Sequence, residues 1–217
     1  MDEHEPRGVR FIQRYRPFTR MNHWTVVIAF LLAAISGLSL FHPWLFPLSA
    51  LVGGGSWARI LHPFIGIIWA VAFVVLALQV VKDTFLDGGD REWLRNWRAM
   101  LRGDEEGLPL VGRYNAGQKL VFWVMVASVV ALFLTGLVIW RAYFSQFFPI
   151  GLIRFSTLVH AGFGVLIVGT IIIHAYAAFW VKGSVRAMTQ GKVTWGWAWR
   201  HHRLWFRDVI AGRRPPD

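Results

Sequence analysis

The chain has 217 residues, 23 Lys+Arg against 12 Asp+Glu, a formal charge of +11 and no cysteine, yet only 16% of it is charged and 55% is hydrophobic. A positive mean hydropathy alongside that charge excludes disorder and argues against a typical soluble nucleic-acid binder. The lack of cysteine excludes a disulfide framework, covalently attached haem and a thiolate-held iron–sulfur cluster.

In chain order, four apolar stretches lie at roughly 23–41, 62–82, 117–140 and 156–181. Each is near the twenty residues that cross a hydrocarbon core ~30 Å thick at ~1.5 Å per residue. Their apolar centres contain no Lys, Arg, Asp or Glu. The first stretch follows a polar arm carrying both signs of charge, which does not fit a cleaved signal peptide. Between the second and third, Asp83–Glu106 reads as a mixed-charge loop with a short amphipathic helix around Trp93–Leu101. A basic tail follows the fourth over 183–217. Trp24, Trp44, Trp140 and Trp180 fall near the expected membrane interfaces, where amphipathic rings prefer to sit. Internal repeats and low-complexity segments are not evident. The expected architecture is all-α: one integral-membrane domain over 1–217, built as a four-transmembrane-helix bundle.

The cations set an expected orientation. Five Lys/Arg precede the first span, seven lie between Lys82 and Lys119, and eight follow Trp180, whereas the other two loops hold only Arg59, Arg141 and Arg154. The positive-inside rule then places both termini in the cytoplasm. All 12 acidic residues fall on that same side.

Histidine is the titratable group left near membrane depth. His4, His201 and His202 lie in the arm and tail and read as solvated or headgroup residues. His23 opens span one and His174 sits in the last turns of span four, both toward the cytoplasm. His62 opens span two and His160 lies in the first turns of span four, both toward the outside. Two histidine pairs result, one per leaflet, each with its members on different helices. Fourteen residues separate His160 from His174. That is ~21 Å of helical rise with both side chains near one face. Two stacked bis-histidine sites suit haem b, whose iron accepts imidazole at both axial positions and then only changes redox state. His42, in Phe41-His42-Pro43-Trp44, reads as an outer-loop residue and is the substitute ligand should an outer assignment fail. Gly37, Gly162, Gly164 and Gly169 either clear space for a flat macrocycle or serve ordinary helix packing in lipid. Asn115, Gln118 and Lys119 gather where span three begins and offer hydrogen bonds to a quinone carbonyl; the alternative is that Asn115 simply caps the helix.

Four segments resemble the cytochrome b (gamma) subunit of respiratory formate dehydrogenases. They are Asn22-His23-Trp24-Thr25-Val26-Val27, Arg59-Ile60-Leu61-His62-Pro63-Phe64, Tyr114-Asn115-Ala116-Gly117-Gln118-Lys119, and the run from His174-Ala175-Tyr176 through Lys182-Gly183-Ser184. The resemblance runs from about Phe11 to Arg207. It implies two b haems, one held by His23 and His174 and the outer one by His62 and His160. It further implies a quinone, menaquinone or ubiquinone, near the cytoplasmic-side haem, with Asn115, Gly117 and Gln118 in its site. The implied partners are an iron–sulfur (beta) subunit and a catalytic molybdenum or tungsten (alpha) subunit in the bacterial inner membrane, with membrane lipid around the chain and no nucleic acid. A cytochrome b subunit of a hydrogenase or related oxidoreductase is the nearest alternative, although hydrogenase subunits usually carry a fifth span. A non-redox transporter or anchor is the alternative of a different class, and transporters generally place carboxylates or lysines inside their spans.

Overall fold

The computed structural model describes residues 10–96, 98 and 109–213. His4 and most of the loop beyond Asn96 lie outside the described residues. A short strand β1 (Phe11–Gln13) precedes α1 (Pro17–Phe41), and a 3-10 segment over Pro43–Val52 leads to α2 (Gly55–Val80). The helix α3 (Gly88–Arg95) lies in the following loop, and α4 (Ala116–Ile139) and α5 (Ile150–Trp180) complete the long helices. Beyond them come α6 (Ser184–Thr189), β2 (Lys192–Thr194), α7 (Trp195–His201) and α8 (Arg203–Ile210). Among the described residues, α1, α2, α4 and α5 are the helices long and apolar enough to cross a membrane.

Three of these helices begin well before the apolar stretches. Pro17 starts α1, where its missing N–H costs no hydrogen bond. Gly53 and Gly54 adopt φ of 87° and 95° and stop the 3-10 segment, and the Gly54 carbonyl then accepts the Ala58 N–H at 2.9 Å to launch α2. The Pro149 carbonyl accepts from Leu152 and Ile153 at 3.0 and 3.2 Å and starts α5. Arg20, Arg59 and Arg154 therefore lie inside helices rather than in loops. Hydropathy alone stops at such cations, because it does not register that a long side chain near a helix end reaches back to water.

The chain packs as two compact units. The first comprises Met21–Gln79 and Trp123–Ala175. Its core joins Val26, Ala29 and Phe30 of α1 to Trp69, Ala70, Ala72 and Phe73 of α2, Val129 of α4 and Ile167 of α5. The buried helix faces favour small and hydroxyl residues, including Ser36, Ser39, Ser128, Ser156 and Thr170, while large residues such as Ile28, Ile68, Leu134 and Ile172 face outward. That inversion follows from a lipid surround, in which burial of apolar side chains gains little and close backbone approach gains more. The buried hydroxyls return their protons to their own helices: Ser128 donates to the Val124 carbonyl at 2.8 Å and Thr170 to Leu166 at 2.8 Å.

The second unit comprises the described residues within 10–20, 80–122 and 176–213. Here the described part of the basic tail, 183–213, is folded. Strand β2 pairs antiparallel with β1 in the register Phe11↔Thr194, Ile12↔Val193, Gln13↔Lys192. Leu204 donates to the Val111 carbonyl at 3.0 Å, and Trp195 to Arg10 at 3.0 Å. Ile12, Tyr15, Ala187, Val193, Ala198 and Trp205 form the core. Within it Arg14 is only 2% exposed and stacks over Trp205, 4.4 Å from guanidinium carbon to ring centroid. Arg14 also donates to the Arg113 carbonyl, and Arg113 Nη2 returns a bond to the Arg14 carbonyl at 3.0 Å.

His202 departs from the sequence-based expectation of a solvated side chain. It is 1% exposed, its ring lies 5.0 Å from Trp197, and Nδ1–H donates to the Gly112 carbonyl at 2.9 Å. Burial first, and then the neighbouring Arg14 charge, push its pKa well below the ordinary histidine value. A depressed folded-state pKa means that the unfolded chain binds the proton more readily. The stabilisation is therefore complete above the unfolded value of about 6.5 and is lost as the pH falls below it. Gly191 is the other sensitive point: its φ is +80°, its carbonyl accepts from both Arg14 and Tyr15, and a Cβ there would lie 2.8 Å from the Tyr15 carbonyl oxygen.

Two outcomes are expected for this unit. Gly191→Ala should destabilise it by roughly 1–3 kcal/mol through backbone strain, read as a lower midpoint in tryptophan-fluorescence melts of the detergent-solubilised protein. Acidification from pH 7.5 to 5.5 should lower the same midpoint, by at most ~1.4 kcal/mol per pH unit below the unfolded value. His202→Asn keeps an N–H for the Gly112 carbonyl and should flatten that dependence; an unchanged pH profile would remove His202 as its source.

Candidate functional site

Two histidines on different helices meet in the first unit. His62 of α2 and His160 of α5 face each other with ring centroids 6.2 Å apart and ring planes at 78°. Two imidazoles bound to opposite sides of one metal, each with a bond of about 2 Å, place their centroids ~6 Å apart. Among the described residues no group of three or more His, Cys, Asp or Glu is arranged to hold a bare ion. The pair therefore suits a metal whose remaining positions are filled by a macrocycle, as in haem.

The tautomer of both rings follows from their partners. Ser36 Oγ has one proton and lies 2.7 Å from the Leu32 carbonyl, with Ala33 at 3.1 Å. It therefore accepts from His62, whose Nδ1 is 3.0 Å away. Thr135 Oγ1 repeats the arrangement, donating to the Ala131 carbonyl at 2.6 Å and accepting from His160 Nδ1 at 3.0 Å. With Nδ1 protonated on both rings, each Nε2 keeps its lone pair for a metal. The glycine after Ser36 gives the His62 ring room, and the one after Thr135 stands at ordinary contact distance from His160. A Cβ at Gly37 would stand 2.8 Å from His62 Cε1, and one at Gly136 3.4 Å from His160 Cε1. A Cβ on Gly162, Gly164 or Gly169 would meet nothing within 4 Å, so of the glycines marked in the sequence only Gly37 stands at a histidine.

His23 and His174 also belong to this unit and lie within electrostatic reach of one another. His23 Nδ1 is buried without a hydrogen-bond partner among the described residues. Beside it, Asn22 Nδ2 donates to the Ala72 carbonyl at 3.0 Å and pins α1 to α2, and Trp24 packs edge-on to the ring at 5.7 Å. The helix α5 is unbroken from Ile150 to Trp180, so the separation of His160 from His174 is one continuous helical rise of ~21 Å. His42 is exposed, and its Nδ1 accepts the Trp44 N–H at 3.3 Å, capping the 3-10 segment. It plays no part in either pair.

At the start of α4, in the second unit, Asn115 and Gln118 form a reciprocal capping box. Gln118 N–H donates to Asn115 Oδ1 at 2.8 Å, and Asn115 N–H to Gln118 Oε1 at 3.0 Å. The box consumes both amide oxygens and leaves the NH₂ groups to other acceptors. Gly117 packs against Trp93 of α3, where a Cβ would lie 3.2 Å from the ring. Lys119 does not join the two amides as a donor, contrary to its reading from sequence: its ammonium is bound by Asp90 at 2.7 Å and Asp87 at 3.1 Å. Asp87 and Asp90 are themselves the capping box of α3, so one cation ties that helix to α4.

Ser36, Thr135 and Gly136 are the residues that sequence reasoning missed. The available signal was a doublet, Ser36-Gly37-Leu38 and Thr135-Gly136-Leu137, standing 26 and 25 residues ahead of the histidines they serve. Each lies on the first helix of a hairpin whose second helix carries the histidine.

Comparison with known proteins finds relatives of the whole chain. Three relatives align over nearly their whole length. The cytochrome b556(Fdn) subunit of the nitrate-inducible formate dehydrogenase of Escherichia coli (strain K12) is 44% identical over 92% of this chain and 92% of its own. The cytochrome b556(fdo) subunit of formate dehydrogenase from the same strain is 39% identical over 91% and 93%. The cytochrome b556 subunit of formate dehydrogenase from Haemophilus influenzae is 36% identical over 95% and 87%. With four apolar helices and bacterial relatives, the protein is a multi-pass protein of the bacterial inner membrane. Residues 14–191 match the description of prokaryotic cytochrome b561, a span that contains His23, His62, His160 and His174, and the chain belongs to that family of haem b proteins.

Proposed function

We propose that this chain is the membrane cytochrome b subunit of a respiratory formate dehydrogenase, passing electrons inward through two bis-histidine b haems to a quinone. The observation that carries the reading is the His62–His160 pair, set 6.2 Å apart with both Nδ1 atoms engaged by hydroxyls. Haem b, when bound, supplies a one-electron carrier without an open coordination site. His62 and His160 hold the outer haem; His23 and His174 hold the inner one. Both termini, and with them the Lys/Arg-rich segments, lie in the cytoplasm. Formate oxidation belongs to partner subunits, an iron–sulfur protein and a molybdenum or tungsten protein, since this chain has no thiolate with which to hold either type of centre.

The direction of transfer has an energetic consequence. An electron carried fully inward moves against the membrane potential at a cost of ~2.3 kcal/mol per 100 mV, so the redox drop from formate to quinone must exceed that work. The inner end is where the quinone is reduced, with Asn115, Gly117 and Gln118 in its site. The capping box fixes the two amide groups, and their NH₂ donors are the groups suited to a quinone carbonyl. Gly117 lets the first turn of α4 lie against Trp93 of α3 and so fixes where the two amides stand.

His174→Ala should reduce haem content from two to one per chain and abolish quinone reduction while the outer haem stays reducible, as read from reduced-minus-oxidised spectra and haem stoichiometry. Retention of both haems would refute the pairing. Asn115→Asp preserves an oxygen to cap α4 and removes the NH₂ group. It should slow quinol formation about tenfold with both haems retained, the worth of one hydrogen bond. Asn115→Ala should in addition cost about 0.5–2 kcal/mol of stability through the lost cap. Wild-type quinone turnover in Asn115→Asp would relocate the site.

A further inference from the structure

We propose that Ser36 and Thr135 are positioning residues that hold the reduction potential of the outer haem below that of the inner haem, building a downhill step for inward electrons into the chain. The inference rests on the two-haem reading above. It begins from an asymmetry between the histidine pairs. Both outer rings donate Nδ1–H to a hydroxyl, at 3.0 Å in each case. His23 Nδ1 of the inner pair is buried with no such acceptor among the described residues.

The hydroxyls are good acceptors because of what they donate to. Each proton is committed to a carbonyl one turn back on its own helix, Leu32 for Ser36 and Ala131 for Thr135. That back-bond polarises the oxygen toward the imidazole, and the imidazole proton is drawn toward it in turn. The result is greater basicity at Nε2, the ligating atom. A more basic ligand stabilises ferric over ferrous iron and lowers the potential. An inner ligand without the acceptor lacks this push, so its haem is the easier to reduce.

Back-bonded hydroxyls are common in membrane helices and mean little alone. Ser128 and Thr170 make the same intrahelical bond, and among the described residues no histidine is hydrogen-bonded to them. The two that differ each face a histidine of the outer pair and each belong to a different hairpin, so the device is built twice at one site. Inward transfer works against the membrane potential, and a lower outer potential offsets part of that cost within the subunit.

The test is an optical redox titration of the whole enzyme complex, with the outer haem assigned from the His174→Ala protein. Thr135→Val and Ser36→Ala should each raise the outer midpoint, increasing the reduced-to-oxidised ratio at fixed ambient potential up to roughly tenfold, equivalent to ~59 mV for one electron. The inner midpoint should stay where it is. Ser36→Thr and Thr135→Ser keep the hydroxyl and should restore the wild-type value, and Ser36→Cys, a weaker acceptor of similar shape, should fall between. Two bound haems with an unmoved or lowered outer midpoint would overturn the proposal while leaving the two-haem reading intact. Loss of the outer haem in every variant, Thr135→Ser included, would assign both hydroxyls to retention alone and overturn it too. A wild-type complex that titrates with fewer than two b haems would instead remove the reading on which it stands.

Discussion

An imidazole carried into hydrocarbon has two ring nitrogens to satisfy and no water to do it, and the described architecture of the first unit follows from that requirement. A buried polar group without a partner costs several kcal/mol in lipid, so each nitrogen needs either a hydrogen bond or a coordinate bond. At His62 and His160 the hydroxyls of Ser36 and Thr135 take Nδ1. Those hydroxyls can act as acceptors because their own protons go to carbonyls that α1 and α4 already present. Gly37 beside Ser36 follows for a steric reason, since a Cβ there would lie 2.8 Å from His62 Cε1.

The large outlines were legible in the sequence because they rest on properties that a single residue carries with it. Four apolar stretches announce four helices whatever packs against them, and histidines spaced along those stretches announce their depth. What stayed hidden depends on partners. Lys119 read as a free donor beside Asn115, whereas Asp90 and Asp87 hold it across 29 and 32 residues of sequence. His202 read as a solvated tail residue, and its burial requires a carbonyl from Gly112, 90 residues earlier. The starts of α1, α2 and α5 were missed for a different reason, since Arg20, Arg59 and Arg154 interrupt an apolar run without interrupting a helix. Asn115 lay between these cases: the cap was anticipated as one of two readings, and the capping box is present, yet it leaves the NH₂ group available for the other.

The second unit answers the same satisfaction problem with different means. Arg14 is a buried cation enclosed by aromatic rings and held by a backbone carbonyl. Trp205, Trp197, Tyr15 and Tyr114 all lie within 5.7 Å of its guanidinium carbon. Ring faces offer a dispersed negative potential, which suits a weakly hydrated guanidinium better than an ammonium. The same crowding pulls in His202 and keeps it neutral, so the packing of this unit is coupled to proton concentration through one imidazole. Here histidine serves as a hydrogen-bond donor in a protein core, while at His62 and His160 in the first unit the Nδ1 atoms are engaged by hydroxyls and each Nε2 keeps its lone pair.

The continuity of α5 sets a standard of length inside the molecule. Because His160 and His174 ride on one unbroken helix, the distance between the two histidine sites is a property of the peptide backbone and does not drift as the surrounding helices loosen or tighten. In the proposed electron route, a spacing held by one helix's own backbone hydrogen bonds would keep the distance between the two sites independent of motion elsewhere in the bundle. The same rigidity makes the segment intolerant of insertion. One extra residue between the two histidines would lengthen the gap by only ~1.5 Å but turn one ring by ~100° away from its partner. Phase, more than reach, is what this helix preserves.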